Sequence, residues 1–439
     1  MCDTLVALAS ETARGGLLFA KNSDRERNEA QVLEMHGPRR DGGEVRLTYI
    51  SIPDVAQTHA VLISRPFWMW GAEMGANAHG VVIGNEALHA RIPAQRRRAL
   101  TGMDLVRLGL ERAATAADAV AVIVDLLEQY GQGGDCGHLG RFYYNNGFIV
   151  ADADEAYVLE TAGRWWVVEQ VRGRRSLSNA YSVGAGYDRI SPALAAHGRE
   201  QGWAGADGRF DVAAQLLDEA RDAVSFGRGR CARGQALLDA QAGRLTPGAM
   251  MAILRDHGDA PGWSPANTVG RTICMHAAEG ARRSQSVASM VSEVRRGRAV
   301  HWVTATSAPC LSIFKPVLFE AGAPPVGPEP SDRCDPDSLW WRHERLHRSA
   351  LGDYHAAHAA LADERDALEA EFRARFDAAL DGDVGPQALR ALVSDCWREA
   401  GEAEARWAAA VAPAVRDGPP AAYRRSWARL NQVAGFPRT

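Results

Sequence analysis

No apolar run in the chain approaches the ~18 residues a membrane-spanning helix needs. Its opening, from Met1 to Gly16, has neither the basic start nor the long apolar core of a secretion signal. It has no CxxC pair: the 7 cysteines, at positions 2, 136, 231, 274, 310, 334 and 396, are odd in number and scattered. Scattered single cysteines are those of a reducing compartment, so the expectation is a cytoplasmic protein with free thiols, no disulfide framework, no zinc knuckle, no metal and no cofactor. A dominant charge is also lacking. A net charge of −4 over 439 residues excludes general nucleic-acid or membrane-surface binding. Short basic runs such as Arg96-Arg97-Arg98 and Arg282-Arg283 read as solvated faces. There is no internal repeat, and the only biased tract is an Ala/Glu/Arg-rich tail.

What is present is an ordinary globular composition, 46% apolar and 24% charged, long enough for two or three domains. Thr4–Ala9 and Leu17–Lys21 read as the strands of a hairpin across a turn-rich Ser10–Gly16. Strands follow at Ala60–Ser64 and Gly80–Gly84, and helices over 101–130. A β-rich meander comprises Phe148–Val150, Tyr157–Glu160, Trp165–Val171 and Leu177–Tyr181. Residues 211–223 and 235–255 are mostly helical, and strands return at Val287–Val294 and Ala299–Thr306. The proline-rich stretch 321–337 reads as a linker, and 338–416 as helix. Within it Leu361, Leu368, Phe372, Phe376 and Leu380 form one apolar stripe. The fold class is α+β, stacked sheets with helical outer layers and a C-terminal helical appendage. The division expected is 1–325 for the layered domain and 326–439 for the helical region.

Cys2 carries the chemistry. Removal of Met1 would leave one residue bearing both a thiol and a free α-amine, whose ordinary pKa of about 7.7–8.0 suits a general base. A hairpin centred near Ala13 pairs residues summing to about 26, which sets Asp24 opposite Cys2; a bulge would put Ser23 or Arg25 there. Asp24 would then hold the protonated amine. Asn85 ends the apolar strand GVVIGN and Asn179 follows Ser176-Leu177-Ser178, so both are candidates for oxyanion or orientation donors. Turn-entry caps are the bland alternative for each. Arg271, between apolar neighbours in TVGRTI, needs a partner and could pair with Asp24 or polarise the site; an interior salt bridge is the alternative.

The opening MCDTLVAL with LLFAKNSDRERNEAQ resembles the secernin and dipeptidase family of N-terminal-nucleophile cysteine hydrolases. Further blocks continue the resemblance: SRPFWMWGAEMGANAHGVVIGNEA at 64–87, MDLVRLGLER at 103–112, VLETAGRWW at 158–166, SPANTVGRTICMH at 264–276, SMVSEV at 289–294 and WWRHERLHR at 340–348. The resemblance implies a four-layered αββα fold, a mature N-terminal cysteine and hydrolysis of C–N bonds. It also implies asparagines at the catalytic centre, in the places of Asn85 and Asn179, and an arginine in the place of Arg271. Lys21 stands where related amidases carry arginine, which keeps the charge and loses the planar fork.

The expected partner is a dipeptide or other small amide, not nucleic acid or membrane, with the alanine-rich tail suited to a homo-oligomer contact. Acyl transfer on the same site and a non-catalytic binding protein of the same fold are the alternatives. His343-Glu344-Arg345-Leu346-His347 is an HExxH sequence with Glu364 downstream, the pattern of a zinc peptidase. Its place beside two tryptophans in the helical appendage favours packing. Asp135, Cys136 and His138 lie in a glycine-rich loop read as bordering the substrate, and Trp68, Trp70, Glu73 and His89 as pocket residues.

Overall fold

The computed structural model describes residues 1–40, 42–268, 271–278, 284–382, 384–411 and 418–437. The pair Arg282-Arg283 lies outside them, as do two residues of the TVGRTI stretch. Two antiparallel sheets dominate. In spatial order the first contains β12 (Arg174–Leu177), β1 (Cys2–Ala7), β2 (Leu17–Glu26), β14 (Ser284–Arg295), β15 (Arg298–Val303) and β16 (Lys315–Val317). The second contains β13 (Arg189–Ile190), β11 (Trp165–Gln170), β10 (Ala156–Ala162), β9 (Asn145–Ala151), β8 (Val82–Leu88), β7 (Met74–Asn77), β6 (Val61–Pro66) and β3 (Gln31–His36). A small ribbon of β4 (Glu44–Arg46) and β5 (Ser51–Pro53) stands apart. Both sheets are covered on both faces, and for that reason β1 and β2 are buried along nearly their whole length, polar residues included.

Helices complete the layers. α1 (Gly102–Arg112) and α2 (Ala116–Tyr130) cover the second sheet, where Leu105, Leu108, Val120 and Ile123 join Ile63, Ile83 and Val150 in one cluster. α1 starts with a reciprocal cap: the Asp104 amide donates to Thr101 Oγ1, and the Thr101 amide to the Asp104 carboxylate. α6 (Gly227–Asp239) and α7 (Pro247–Leu254) lie against the first sheet. The expected αββα order is therefore present, and α8 (Leu339–Ala350), α9 (Tyr354–Asp381), α10 (Pro386–Val411) and α11 (Ala421–Ala434) form the C-terminal helical region. Leu361, Phe372 and Phe376 of the apolar stripe are buried in the same cluster as the first sheet, with Leu368 and Leu380 packed at its margin. No helix among the described residues is long and apolar enough to cross a membrane.

The sheets are joined by polar groups as well as apolar ones. Lys21 reaches from β2 across to β8, donating to the Asn85 carbonyl at 2.6 Å, with Glu86 Oε1 at 3.5 Å. Thr4 on β1 bonds the same carboxylate. Gly84 makes this crossing possible, since a Cβ there would sit 2.5 Å from Lys21 Cδ. Burial pushes the Glu86 carboxyl up to about 7, and Lys21 holds it from rising further. Removing the ammonium leaves a buried carboxyl alone, a loss of about 3–5 kcal/mol when that carboxyl is ionised. Lys21→Met should therefore lower the thermal midpoint more at pH 8.5 than at pH 6, where Glu86 takes up a proton. An equal loss at both values would show that the pair is not coupled.

Candidate active site

β1 is an interior strand, so the first residues of the chain lie inside the sandwich. Cys2 pairs with Ser23, not Asp24: partners across β1 and β2 sum to 25. The chain turns half a residue earlier than a hairpin centred on Ala13, because a single 3-10 turn at Ala9–Glu11 and the Thr12 hydroxyl, donating to the Ala9 and Gly16 carbonyls, close the connection. Asp24 nevertheless belongs to the site. Its backbone amide points at Cys2 Sγ, 3.4 Å away, and its carbonyl accepts from the Met1 amine at 2.9 Å. Ser286 Oγ on β14 donates to Asp24 Oδ1 at 2.7 Å, while Oδ2 is buried without a partner.

The Cys2 backbone is held by side chains. Its nitrogen donates to Asn179 Oδ1 at 2.8 Å, and its carbonyl accepts from Arg230 Nη1 at 3.0 Å and Ser178 Oγ at 3.3 Å. Arg230, fully buried on α6, also donates to Asn179 Oδ1 at 2.7 Å and pairs with Asp3 at 2.5 Å. Gly227 lets α6 approach this closely: a Cβ there would lie 2.6 Å from the backbone of Asn179. Asn179, expected as an oxyanion or orientation donor, turns its oxygen to the Cys2 nitrogen, and its Nδ2 donates to the Ala87 carbonyl at 2.9 Å.

A second charged group meets the sulfur from the other sheet. Glu73 Oε2 lies 3.9 Å from Cys2 Sγ, and Arg25 Nη1 lies 3.3 Å from Glu73 Oε1. Arg25 also pairs with Glu29 at 2.5 Å and donates to the Cys136 carbonyl at 2.7 Å, tying the glycine-rich loop to the site. The Asn85 amide satisfies its neighbours with its nitrogen toward Glu73, donating to the carbonyl and the carboxylate at 3.1 Å each. Trp68 closes this side with a 2.8 Å bond from Nε1 to Glu29. His89 is held neutral, its pKa lowered to about 4 by burial, Arg221 and the N-terminal charge.

Cys2 is 4% exposed. Burial pushes its thiol up to about 11 against the pull of Lys21, so at neutral pH it is protonated and needs a base to become a nucleophile. With Met1 attached the Cys2 nitrogen is an amide and cannot accept that proton. Burial likewise raises the Asp24 carboxyl, to about 7, the N-terminal charge opposing the rise.

Other expected participants stand elsewhere. Arg271 is exposed, its guanidinium 4.3 Å over the Phe226 ring, while its neighbours Thr272 and Ile273 are buried. The buried arginines of the site are Arg25 and Arg230. The HExxH residues do not converge on a metal. His343 faces Glu404 at 3.2 Å, while Glu344 bonds His347 at 3.0 Å, Arg348 at 2.6 Å and Ser307. Glu364 pairs with Arg406 and Trp407. Trp70 lies under the Arg107 guanidinium at 4.2 Å, in the helical layer. Asp135 caps its own loop through the amides of Gly137 and Phe142, and His138 packs on Phe67.

Residues 24–189 match peptidase family C69. The match begins inside the N-terminal motif, after Cys2. The C69 segment holds Asp24, Glu73, Asn85 and Asn179, while Cys2 and Arg230 reach the site from outside it. Among solved structures the chain is similar to a mutant conjugated bile acid hydrolase from Clostridium perfringens, at 12% identity over 69% of this chain and 88% of that one, with a TM-score of 0.40. It is similar also to penicillin V acylase from Agrobacterium tumefaciens, at 13% identity over 72% and 86%, with a TM-score of 0.41.

Two expectations follow. A carboxyl with a raised folded pKa binds more protons folded than unfolded, so stability falls as pH rises from the ordinary carboxylate range to about 7. The thermal midpoint of Asp24→Asn should fall less than that of the wild type between about pH 5 and about pH 8. Identical slopes would remove Asp24 as the source. Gly227→Val should push α6 off Asn179 and lower turnover while the far-UV spectrum stays native. Unchanged turnover would show that this approach does not set the geometry of Cys2.

Proposed function

We propose that the chain is an N-terminal-nucleophile cysteine amidohydrolase, acting as a dipeptidase on short peptides or small amides once Met1 is removed. One observation carries the reading. The nitrogen of Cys2 is held by a side-chain oxygen, that of Asn179, in a buried site where its own sulfur faces the Asp24 amide. After trimming, that nitrogen is a primary amine with a lone pair, adjacent to a thiol that needs a base. The amine takes the Sγ proton, directly or through a water, and the thiolate attacks the substrate carbonyl carbon. Asp24 stabilises the ammonium so formed. The tetrahedral intermediate collapses as the ammonium returns its proton to the leaving amine, and water then hydrolyses the thioester. Asn85, next to Glu73 beside the sulfur, is the oxyanion donor in this reading, its Nδ2 exchanging a bond to Glu73 for one to the substrate oxygen. Arg230 is a positioning residue for the Cys2 carbonyl.

Glu73 supports the dipeptide preference. Its Oε1 faces Arg25 Nη1 at 3.3 Å without a hydrogen bond and its Oε2 lies 3.9 Å from the sulfur, so in this reading a carboxylate stands near the reacting carbonyl for a free substrate amine.

Intact mass should show the purified chain lighter by one methionine, and chain that keeps Met1 should be inactive. On a panel of dipeptides and acyl amides, Cys2→Ala should lose at least about 10³-fold in kcat. Full activity in Cys2→Ala and Cys2→Ser would sink the reading. N-acetylation of a good dipeptide should lower kcat/KM by about 10–100-fold, and Glu73→Gln should erase most of that difference. A panel in which blocked substrates are preferred would point to a small-amide hydrolase.

A further inference from the structure

The cysteine spacing contains no knuckle, and the expectation of no metal followed from it. Folding removes that ground. Four side chains from three separate stretches meet beside the first sheet: His257 beyond α7, Cys274 and His276 on the segment before β14, and Cys310 in the turn after β15. Their ligand atoms all lie within 4.8 Å of one another, and all but His257 are buried.

The separations are those of a shared ligand shell. His276 Nε2 lies 3.2 Å from His257 Nε2, 3.3 Å from Cys310 Sγ and 3.6 Å from Cys274 Sγ. Tetrahedral zinc, with bonds of about 2.0–2.1 Å to nitrogen and about 2.3 Å to sulfur, has edges of about 3.4 Å between nitrogens and about 3.6 Å between nitrogen and sulfur. Hydrogen bonding does not account for the convergence. One imidazole nitrogen carries at most one proton, or one lone pair, and here it faces three heteroatoms at once.

The surroundings suit a fixed ion. Trp263 stacks on His257 with ring centroids 3.8 Å apart, and Tyr354 sets its edge against both imidazoles.

We propose that His257, Cys274, His276 and Cys310 form a tetrahedral Cys2His2 site for a zinc-class divalent ion, structural in role and separate from the catalytic sulfur. Binding takes the ion from solution and releases the two thiol protons, leaving a neutral centre of one divalent cation and two thiolates. Four protein ligands leave no open position for substrate, the arrangement of a structural site. The ion would pin the segment 271–278, which has no helix or strand of its own, to the core.

The test is the metal content of full-length protein grown with zinc and desalted, measured by mass spectrometry of the elements. About one zinc per chain is expected, in wild type and equally in Cys2→Ala, so the reading does not depend on activity. Cobalt added to stripped protein should give the visible absorption of a tetrahedral thiolate site. Cys274→Ser with Cys310→Ser should abolish both signals, while Cys231→Ser, outside the quartet, should keep them. If the double variant does not fold, His257→Ala, at the more accessible ligand, should weaken zinc affinity at least about tenfold in competition with a chromophoric chelator. Wild type with less than a tenth of a metal per chain and no cobalt spectrum would overturn the proposal. So would metal retained in the folded double variant, or a Cys274–Cys310 disulfide in metal-free protein.

Discussion

A chain terminus is ordinarily the part of a protein that frays, yet here the second residue lies in the interior of a sheet. Ordering each backbone residue costs about 1–2 kcal/mol, and a terminal strand recovers this only through what it packs against. β1 is flanked by β12 and β2, and Leu5 and Val6 are fully buried, so apolar packing anchors its middle. Its first residue has no such anchor. Cys2 is fixed by Asn179 and Arg230, and every chemical property assigned to the site depends on that fixation. The sulfur faces the Asp24 amide and Glu73 only because nitrogen and carbonyl are both held.

The fixation is made of buried charge. Arg230, Asp3, Lys21, Glu86, Arg25 and Glu73 are all inside the sandwich. Apolar residues of the same volume would often stabilise a fold equally well or better, so ion pairs at this depth are poor evidence of stability. What they provide is direction. A guanidinium offers several donors in one plane, and Arg230 uses them on the Cys2 carbonyl, Asn179 and Asp3 together. An apolar residue at 230 could pack in the same space but could not hold the Cys2 carbonyl and Asn179 together. The raised carboxyls of Asp3, Asp24 and Glu86 are the electrostatic consequence of crowding acids where water is absent.

The same physics explains what the sequence disclosed. Strands buried on both faces carry short apolar runs, such as LVA in β1 and LLFA in β2, so β1, β2, β8 and β14 stand out, and the αββα order follows from their alternation with helices. β7 did not stand out, because Met74-Gly75-Ala76-Asn77 is buried through small residues that carry little pattern. Within the meander, Leu177–Tyr181 was read as a strand, but the strand ends at Leu177 and pairs with β1, which releases Asn179 to turn toward Cys2. The hairpin register missed by one because a side-chain-closed turn is shorter than its residue count suggests. Arg271 looks buried from its apolar neighbours, whereas Arg230 sits among Arg228 and Arg233, which pair with the exposed Glu219 and Asp259. Nothing local separates one arginine of α6 from the others; only the glycine at 227, which brings the helix against Asn179, marks the direction in which one of them must point. The Cys2His2 quartet was invisible for a related reason, its members being spread from 257 to 310.

Catalytic centre and metal site are neighbours through backbone. The Asn22 amide nitrogen holds the Ile273 carbonyl at 3.0 Å, and Ser286 Oγ both accepts from the Met275 amide and donates to Asp24. Ile273 and Met275 flank Cys274, so the segment that carries two ligands also carries the contacts that orient Asp24. β14 breaks its register with β2 between Ser286 and Ala288, just after Ser286 pairs with Asp24, and the Ser286 backbone amide donates to the Met275 carbonyl at 2.9 Å. A segment without helix or strand keeps a fixed geometry only through its side chains. Three hydrogen bonds anchor it on the Asn22 and Ser286 side. On the other the Cys274 amide donates to the Asp256 carbonyl at 3.0 Å, and the four-ligand centre adds to that anchor, so Asp24 is held still between a strand and a segment fixed on both faces.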